Sequence, residues 1–498
     1  MYKRKLSVCI YAVAILCGTL AGCSGKNPEP EAIPTPVSGY EICEPITSTP
    51  PTPTAVPYRD LEGVEIIIGT HWNPETPATI PEMYDDPVKN YRYELMKKYN
   101  FTIRKKTVAD WGDMGEEYIS SVENGTPKAQ IFELDYRFVA EPMAKGLFYD
   151  LATLDELDFS EDKWNDSVRE LMTVGDSIYG MRAGVSEPRG GVIYNKRLFE
   201  EAGLDPNLPY DLQASGEWTW SKFEELCDIL TRDTDGDGQT DVYATVSHCS
   251  STIETLVAST GTDFVEKDES GLFYNNLGSE EVKKAIDFAV ELYRKGYEMP
   301  QPEGSQWDFF IQAFQEGKAA MQFGELYRCA PRSDYGDSME DEVGFVMPPK
   351  PDGTENYHSY LFDSVMVIPS CYDVETAADI AYAYNLYTSR LMAEEGGEGW
   401  QEPYYFYFWN KKVVDGEAQY FPDDRAVEET FPYFSDYNNV KQTNRTIVYN
   451  LENVIGKDLL WCYPFETIPP EEQIKKISEE WDALIEEANR GRGNMDEE

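Results

Sequence analysis

Strand-length apolar runs alternate with helix-length amphipathic segments early in this chain, and that alternation limits the fold more than any other feature. Residues 62–69, EGVEIIIG, are β-branched, apolar and closed by glycine, which predicts a short buried strand. DDPVKNYRYELMKKYNFTIRKK (85–106) reads as a helix followed by a strand, AQIFELDY (129–136) as a second buried strand, and RFVAEPMAKGLFYDL (137–151) as a helix ending near Gly146. Strand–helix alternation predicts an α/β fold with a parallel sheet faced by helices. Ligands of such sheets bind beyond the carboxyl ends of the strands. That rule selects Trp72 and Asn73 after the first strand, and Asp135 and Tyr136 after IFEL.

The amino-terminal residues carry a different message. Lys3, Arg4 and Lys5 precede an apolar run of about a dozen residues, the pattern of a secretion leader rather than a membrane span. The leader closes in Leu20-Ala21-Gly22-Cys23, which matches the bacterial lipobox, so residues 1–22 are expected to be a lipoprotein signal peptide and Cys23 the lipidated residue. Residues 23–60 are rich in Pro, Thr and Ser without apolar period, which predicts a disordered stalk holding the folded part off a membrane surface.

Composition excludes more than it selects. A net charge of −48, spread along the chain, repels phosphates and makes nucleic acid an unsuitable partner. Cys227, Cys249, Cys329, Cys371 and Cys462 are scattered, no Cys-x-x-Cys occurs, and His71, His248 and His358 lack ligand spacing, so zinc is not expected. Gly-x-Ser-x-Gly, His-Glu-x-x-His and phosphate-cradling glycine loops are missing, and with 91 acidic residues paired carboxylates arise by chance, so no enzyme and no catalytic cofactor is expected.

One segment raises the question of a metal. In DTDGDGQTD (233–241), Asp233, Asp235, Asp237, the Gln239 carbonyl and Asp241 fall at positions 1, 3, 5, 7 and 9 of a calcium loop, with Gly238 at position 6. Position 12 is Ala244 where an EF-hand has its bidentate Glu, and VYATVSH beyond it reads as a strand. The loop is therefore not an EF-hand sensor. It is either a structural calcium site or a solvated turn whose Asp and Gly serve loop geometry.

The middle of the chain resembles a known family. Tyr194-Asn195-Lys196, Leu198-Phe199, Ala202-Gly203-Leu204, Thr219-Trp220 before FEEL, FQEGKAAMQFGELY (314–327), VGFVMPPKPDG (343–353) and SVMVIPS (364–370) before a helix near Glu375 occur in the order and spacing of extracellular solute-binding proteins of bacterial ABC importers, in the sugar-binding, maltose-binding-protein-like group. The resemblance covers about 62–395 and is loose beyond 396. It implies a periplasmic-binding-protein-like fold: two α/β lobes joined by a hinge, the ligand between them, with crossings near 184–192 and 359–364. Residues 61–188 and 363–395 would form the N-terminal lobe, and 189–362 with 396–498 the C-terminal lobe.

The resemblance also implies ligand contacts. Asp135 stands where the family has a sugar-binding acid and is the first choice. Glu187 and Arg189 lie in the first crossing, and Phe362 and Asp363 in the second. Glu325 and Tyr327 follow AAMQFG, where the family often has a stacking aromatic; Trp307 and Trp409 are further candidates. The implied protein is a monomeric lipoprotein on the extracellular face of a bacterial, Gram-positive cell membrane. It would capture an oligosaccharide and pass it to ABC permease subunits. A surface sensor or adhesin, or a binding protein for a peptide or polyamine, would share the same fold.

Overall fold

A computed structural model describes residues 58–71, 87–184, 186, 189–268, 272–329, 333–336, 339–361, 363–389, 412–414, 417–419, 423–434, 439–442 and 470–493. In chain order the elements that position the site are β1 (Val64–Thr70), α1 (Pro87–Tyr99), β2 (Phe101–Thr107), α2 (Met114–Glu123), β3 (Ile131–Leu134), β4 (Gly190–Asn195), α3 (Trp220–Leu230), β5 (Tyr243–Thr245), α4 (Cys249–Ser259), α5 (Glu280–Arg294), β6 (Ala319–Glu325), β7 (Val343–Val346), β8 (Ser359–Leu361), β9 (Val365–Val367), α6 (Val374–Tyr387), β10 (Val440–Gln442) and α7 (Pro470–Gly493).

Their sequences explain them locally. Three helix starts have a side-chain oxygen for their orphan amides: Thr219 accepts from Lys222 N at the head of α3, Ser279 from Val282 N at α5, and Asp373 from Thr376 N at α6. Glu280 and Glu281 add favourable charge in the first turn of α5. That helix buries Val282, Ala285, Ile286, Ala289 and Leu292, an apolar stripe at helical spacing.

Two four-stranded sheets result. The first has the order β9-β3-β1-β2. β1 runs parallel to β2, with Val64 opposite Phe101 and Thr70 opposite Thr107, and parallel to β3. The parallel expectation holds for these three strands and fails for the fourth, since β9 lies antiparallel to β3 with Val365 opposite Leu134. The reason is topological: β9 enters on the chain's return along the second crossing, so it meets the sheet from the other end. The second sheet has the order β7-β4-β6-β5, with β4 antiparallel to both neighbours and β5 parallel to β6.

The chain thus leaves the first sheet after residue 181, where Met181 bridges Met366, and enters the second at Gly190. It returns through β8 into β9. The two crossings lie against each other. Ser359 Oγ donates to the Gly190 carbonyl at 2.6 Å, and a Cβ on Gly190 would sit 2.5 Å from the Tyr360 ring, which is why glycine is required there.

The tail beyond 396, which sequence patterns describe only loosely, packs onto the second sheet's side. Asp423 accepts from Tyr210 Oη at 2.8 Å and pairs with Lys196 at 2.9 Å, while Thr430 Oγ1 donates to the Phe345 carbonyl at 3.0 Å. β10 then pairs in parallel with β8 at the hinge. α7 closes over the hairpin formed by Val265–Lys267 and Phe273–Asn275, where Asn489 exchanges hydrogen bonds with both backbone groups of Phe273 at 2.8–2.9 Å. Trp481 of this helix is fully buried, edge-on to Phe264. Trp481→Ala is expected to cost about 3 kcal/mol or more by cavity formation, measured by chemical denaturation. A loss below about 1 kcal/mol would mean that α7 is not part of this core.

Candidate functional site

The carboxyl ends of β1, β2 and β3 emerge on one edge of the first sheet. His71 follows β1, Trp111 lies in the turn after β2, and Asp135 follows β3, each reached within about four residues of its strand end. Asp135 caps a short 3-10 turn, and its carboxylate takes up most of its own surroundings. Arg137 binds it twice through the guanidinium, at 2.9 and 3.0 Å, and once through its backbone N–H at 3.0 Å; the Trp111 indole N–H adds a contact at 3.3 Å. Burial alone would raise the pKa of Asp135, but the Arg137 hydrogen bonds and charge outweigh it and hold the carboxyl below its ordinary value. The same guanidinium lies over the Trp111 ring at 4.6 Å and over the Tyr136 ring at 4.9 Å. Trp111 is braced edge-on by Phe138 at 5.2 Å yet remains 42 % exposed, a fixed aromatic plane open to solvent. Burial holds the His71 imidazole below its usual pKa against the pull of Asp135 and Glu133.

The second sheet contributes a matching edge. Arg189 precedes β4, and Glu325 ends the antiparallel partner β6, so register brings them together at 3.9 Å. The Leu326 N–H donates to the Arg189 carbonyl at 3.2 Å and fixes the turn that carries Tyr327. Tyr327 is covered by two guanidinium groups, Arg189 at 5.6 Å and Arg328 at 5.1 Å. Burial, followed by the Glu325 charge, pushes its phenol up to about 12, so Tyr327 is a neutral hydroxyl on an aromatic plane. Arg328 also lies over Phe310 at 5.2 Å and is ion-paired with Asp334. Trp307 stands beside His248 and Phe310 with 65 % of its surface exposed. Burial and the Arg328 charge hold His248 below its ordinary pKa.

Tyr136 ties the first edge to the hinge. It is buried against Tyr360 of β8 and Ala258 of α4, so a residue positioned by the first sheet packs on the hinge strand and on a helix of the second lobe. Asp363 is fully buried at the second crossing and faces the Arg182 guanidinium at 3.4 Å, while Arg182 also donates to the Ser364 carbonyl at 3.2 Å.

The sequence-selected residues therefore fall into distinct groups. Asp135, Tyr136, Arg189, Glu325, Tyr327 and Trp307 lie on the strand-end edges, and Asp363 lies within the hinge. Trp72, Asn73, Glu187, Phe362, Trp409 and Cys23 lie outside the described residues. Sequence reasoning passed over Trp111, Arg137 and Arg328. The strand-end rule that selected Trp72 would have reached Trp111, which stands four residues beyond β2. Nothing in the sequence marks Arg328, whose place depends on the turn after β6.

Away from these edges, the Asp233, Asp235 and Asp237 carboxylates gather within 4.8 Å of one another on the surface. Gly236 and Gly238, at φ of 81° and 88°, allow the backbone to fold around them, and their N–H groups donate to Asp233 at 2.7 and 2.8 Å. Gln239 sits beside Asp237, whereas Asp241 turns to the Thr234 N–H and hydroxyl at 2.7 and 2.6 Å.

Two four-stranded α/β sheets, a pair of crossings packed together and a strand-end edge on each sheet define a two-lobed ligand-binding protein of the periplasmic-binding-protein type. The chain belongs to the bacterial extracellular solute-binding protein family, whose model matches residues 74–379. No curated protein matches it. Solved structures share the fold at low identity. The ABC transporter associated binding protein of B. animalis subsp. lactis Bl-04, in complex with beta-1,6-galactobiose, is 16% identical with a TM-score of 0.58, covering 86% of this chain and 98% of its own. The cyclic alpha-maltosyl-1,6-maltose binding protein of Arthrobacter globiformis is 17% identical with a TM-score of 0.57, covering 84% and 98%. UgpB of Mycobacterium tuberculosis, in complex with glycerophosphocholine, is 14% identical with a TM-score of 0.54, covering 85% and 98%.

Proposed function

We propose that this solute-binding protein captures an oligosaccharide between its lobes and delivers it to the permease of an ABC importer, as a monomer lipid-anchored through Cys23 on the extracellular face of a Gram-positive cell. The observation that carries the sugar reading is the pair of solvent-open indoles, Trp111 on the first lobe's strand-end edge and Trp307 on the second's. Each sits among hydrogen-bonding side chains. Indole planes take the apolar C–H faces of pyranose rings, while Glu325, the neutral Tyr327 hydroxyl and the guanidinium N–H groups suit sugar hydroxyls. A neighbour of the same fold in complex with beta-1,6-galactobiose, and one named for binding cyclic alpha-maltosyl-1,6-maltose, support this reading. The lobes would divide at the two crossings, with the tail after 396 joining the second.

Binding and uptake measurements test the proposal. Calorimetric titration with a panel of neutral oligosaccharides is expected to find one class that binds, and Trp111→Ala is expected to weaken that binding on the order of tenfold, about 1.4 kcal/mol. Binding of peptides or polyamines with no sugar response would keep the fold and remove the sugar, and the same class should fail to enter cells lacking the chain.

The clustered carboxylates of Asp233, Asp235 and Asp237 fit a hard cation such as calcium, which would clamp the turn between α3 and β5; the Gln239 carbonyl would complete the set, and Asp241 would have to exchange Thr234 for the ion to join it. Asp235→Asn should abolish a calcium-dependent rise in melting temperature, since an ion bound only to the folded form stabilises it by mass action. If calcium raises nothing in the parent protein, the loop is a solvated turn.

For the anchor, radiolabelled palmitate should be incorporated by the parent chain and not by Cys23→Ser; equal labelling of the two would remove the lipid from Cys23.

A further inference from the structure

His248 joins the second edge to a helix. It follows β5 and caps α4, where its Nδ1 accepts from the Ser250 N–H at 3.3 Å and lies 2.6 Å from the Ser250 hydroxyl. A backbone N–H only donates, so this Nδ1 carries no proton and the neutral ring keeps its hydrogen on Nε2. A second proton would set N–H against N–H and place a charge at the positive end of α4. Burial, and then the Arg328 charge, work in the same direction. Arg328 comes from the turn after β6 and is itself paired with Asp334. Acidic groups on the other packed elements are Asp308, which heads the helix Phe309–Gln315, and Glu254, farther along α4.

The capped ring packs against two aromatic planes. Its centroid lies 6.3 Å from the Trp307 indole and 6.4 Å from the Phe310 ring, edge-on to both, and the indole is 6.4 Å from Phe310. Phe310 is 4 % exposed and Trp307 65 %, so the indole leans on a buried ring and a capped ring while most of its surface stays open. Edge-to-face contacts depend on the tilt of both rings. The cap bond fixes the tilt of the imidazole, and through it one of the two supports of the indole.

We infer that His248 is a positioning residue: its neutral, capping form holds the Trp307 plane in place for a ligand, and a proton on Nδ1 releases that plane. This rests on the reading of Trp307 as a plane for sugar rings. A histidine held neutral keeps the plane set at neutral pH, and binding weakens only as pH falls through the titration of the folded protein.

Histidine labelled at its ring nitrogens in the full chain gives a direct magnetic-resonance readout, because the sequence holds three histidines and His248→Asn removes one signal. The His248 signal is expected to show hydrogen on Nε2 and to titrate below the ordinary histidine value of about 6.5. Neutral gluco- and galacto-oligosaccharides are then titrated calorimetrically about one pH unit above and below that midpoint. These probes have no group that titrates there, so a change in affinity comes from the protein. The parent chain, folded by its melting curve, is expected to bind at least about threefold more weakly on the acid side. That difference should vanish in His248→Asn, whose amide oxygen can cap α4 without titrating. Hydrogen on Nδ1, equal affinity on both sides of the midpoint, or the same acid loss in His248→Asn would overturn the inference and leave the carbohydrate reading standing. Binding of no oligosaccharide at neutral pH would overturn both.

Discussion

The architecture depends on the close approach of the two crossings. Gly190 leaves no room for a side chain beside the Tyr360 ring, and its carbonyl takes the Ser359 hydroxyl, so the outgoing and returning strands are joined side by side. A methyl group at Gly190 would meet that ring at 2.5 Å and separate them. Around this joint, the Arg182–Asp363 pair secures the returning strand to the first lobe, and Tyr136 packs across onto β8 and α4. Removing Arg182 would leave a fully buried carboxylate without its guanidinium, so the pair is kept less for its own net energy than for the cost of breaking it. β10 adds a further strand beside β8, which brings the tail into the joint.

This joint makes the strand-end edges a site. Parallel β1, β2 and β3 deliver His71, Trp111 and Asp135 to one edge because parallel strands end together. On the other lobe the same result comes from antiparallel register: Gly190 opposite Glu325 places Arg189 and Tyr327 at the junction. The chain therefore reaches one kind of edge by two topologies. In both, an arginine stacks on an aromatic ring and pairs with an acid, which holds the ring in place and uses the guanidinium internally.

The sequence made the backbone plan legible and left the side-chain plan partly hidden. EGVEIIIG and IFEL carry β-branched and apolar residues over strand-length runs, and Thr219 and Asp373 mark helix starts through their own cap chemistry. These are local signals, so they survive without a structure. The antiparallel entry of β9 was hidden because SVMVIPS has the same composition in either direction. Asp135 was found as a position, but its carboxylate's engagement with Arg137 and Trp111 depends on a turn that no periodicity reports. The tail was the least legible part. Its contacts run from Asp423 to Tyr210 and from Asn489 to Phe273, more than two hundred residues apart in each case, and such pairings leave no local pattern.

The distribution of aromatic planes bears on how such a site would respond to its ligand. A ligand shifts a hinge only by the contacts that it makes in one state and not in the other. Tyr136 is already buried at the joint against Tyr360 in the ligand-free structure, so it has little surface left to offer a ligand. Trp111 and Trp307 are exposed, and under the proposed division of the chain they would belong to different lobes, so a ligand that touched both would bridge them. The ordering of a flexible glycan and of two lobes must be offset by contacts of this bridging kind. Trp111 is braced by Phe138 and Arg137, and Trp307 touches Phe310 and His248 while staying more open, so Trp111 would have the less side-chain freedom to lose if a ligand drew the lobes together.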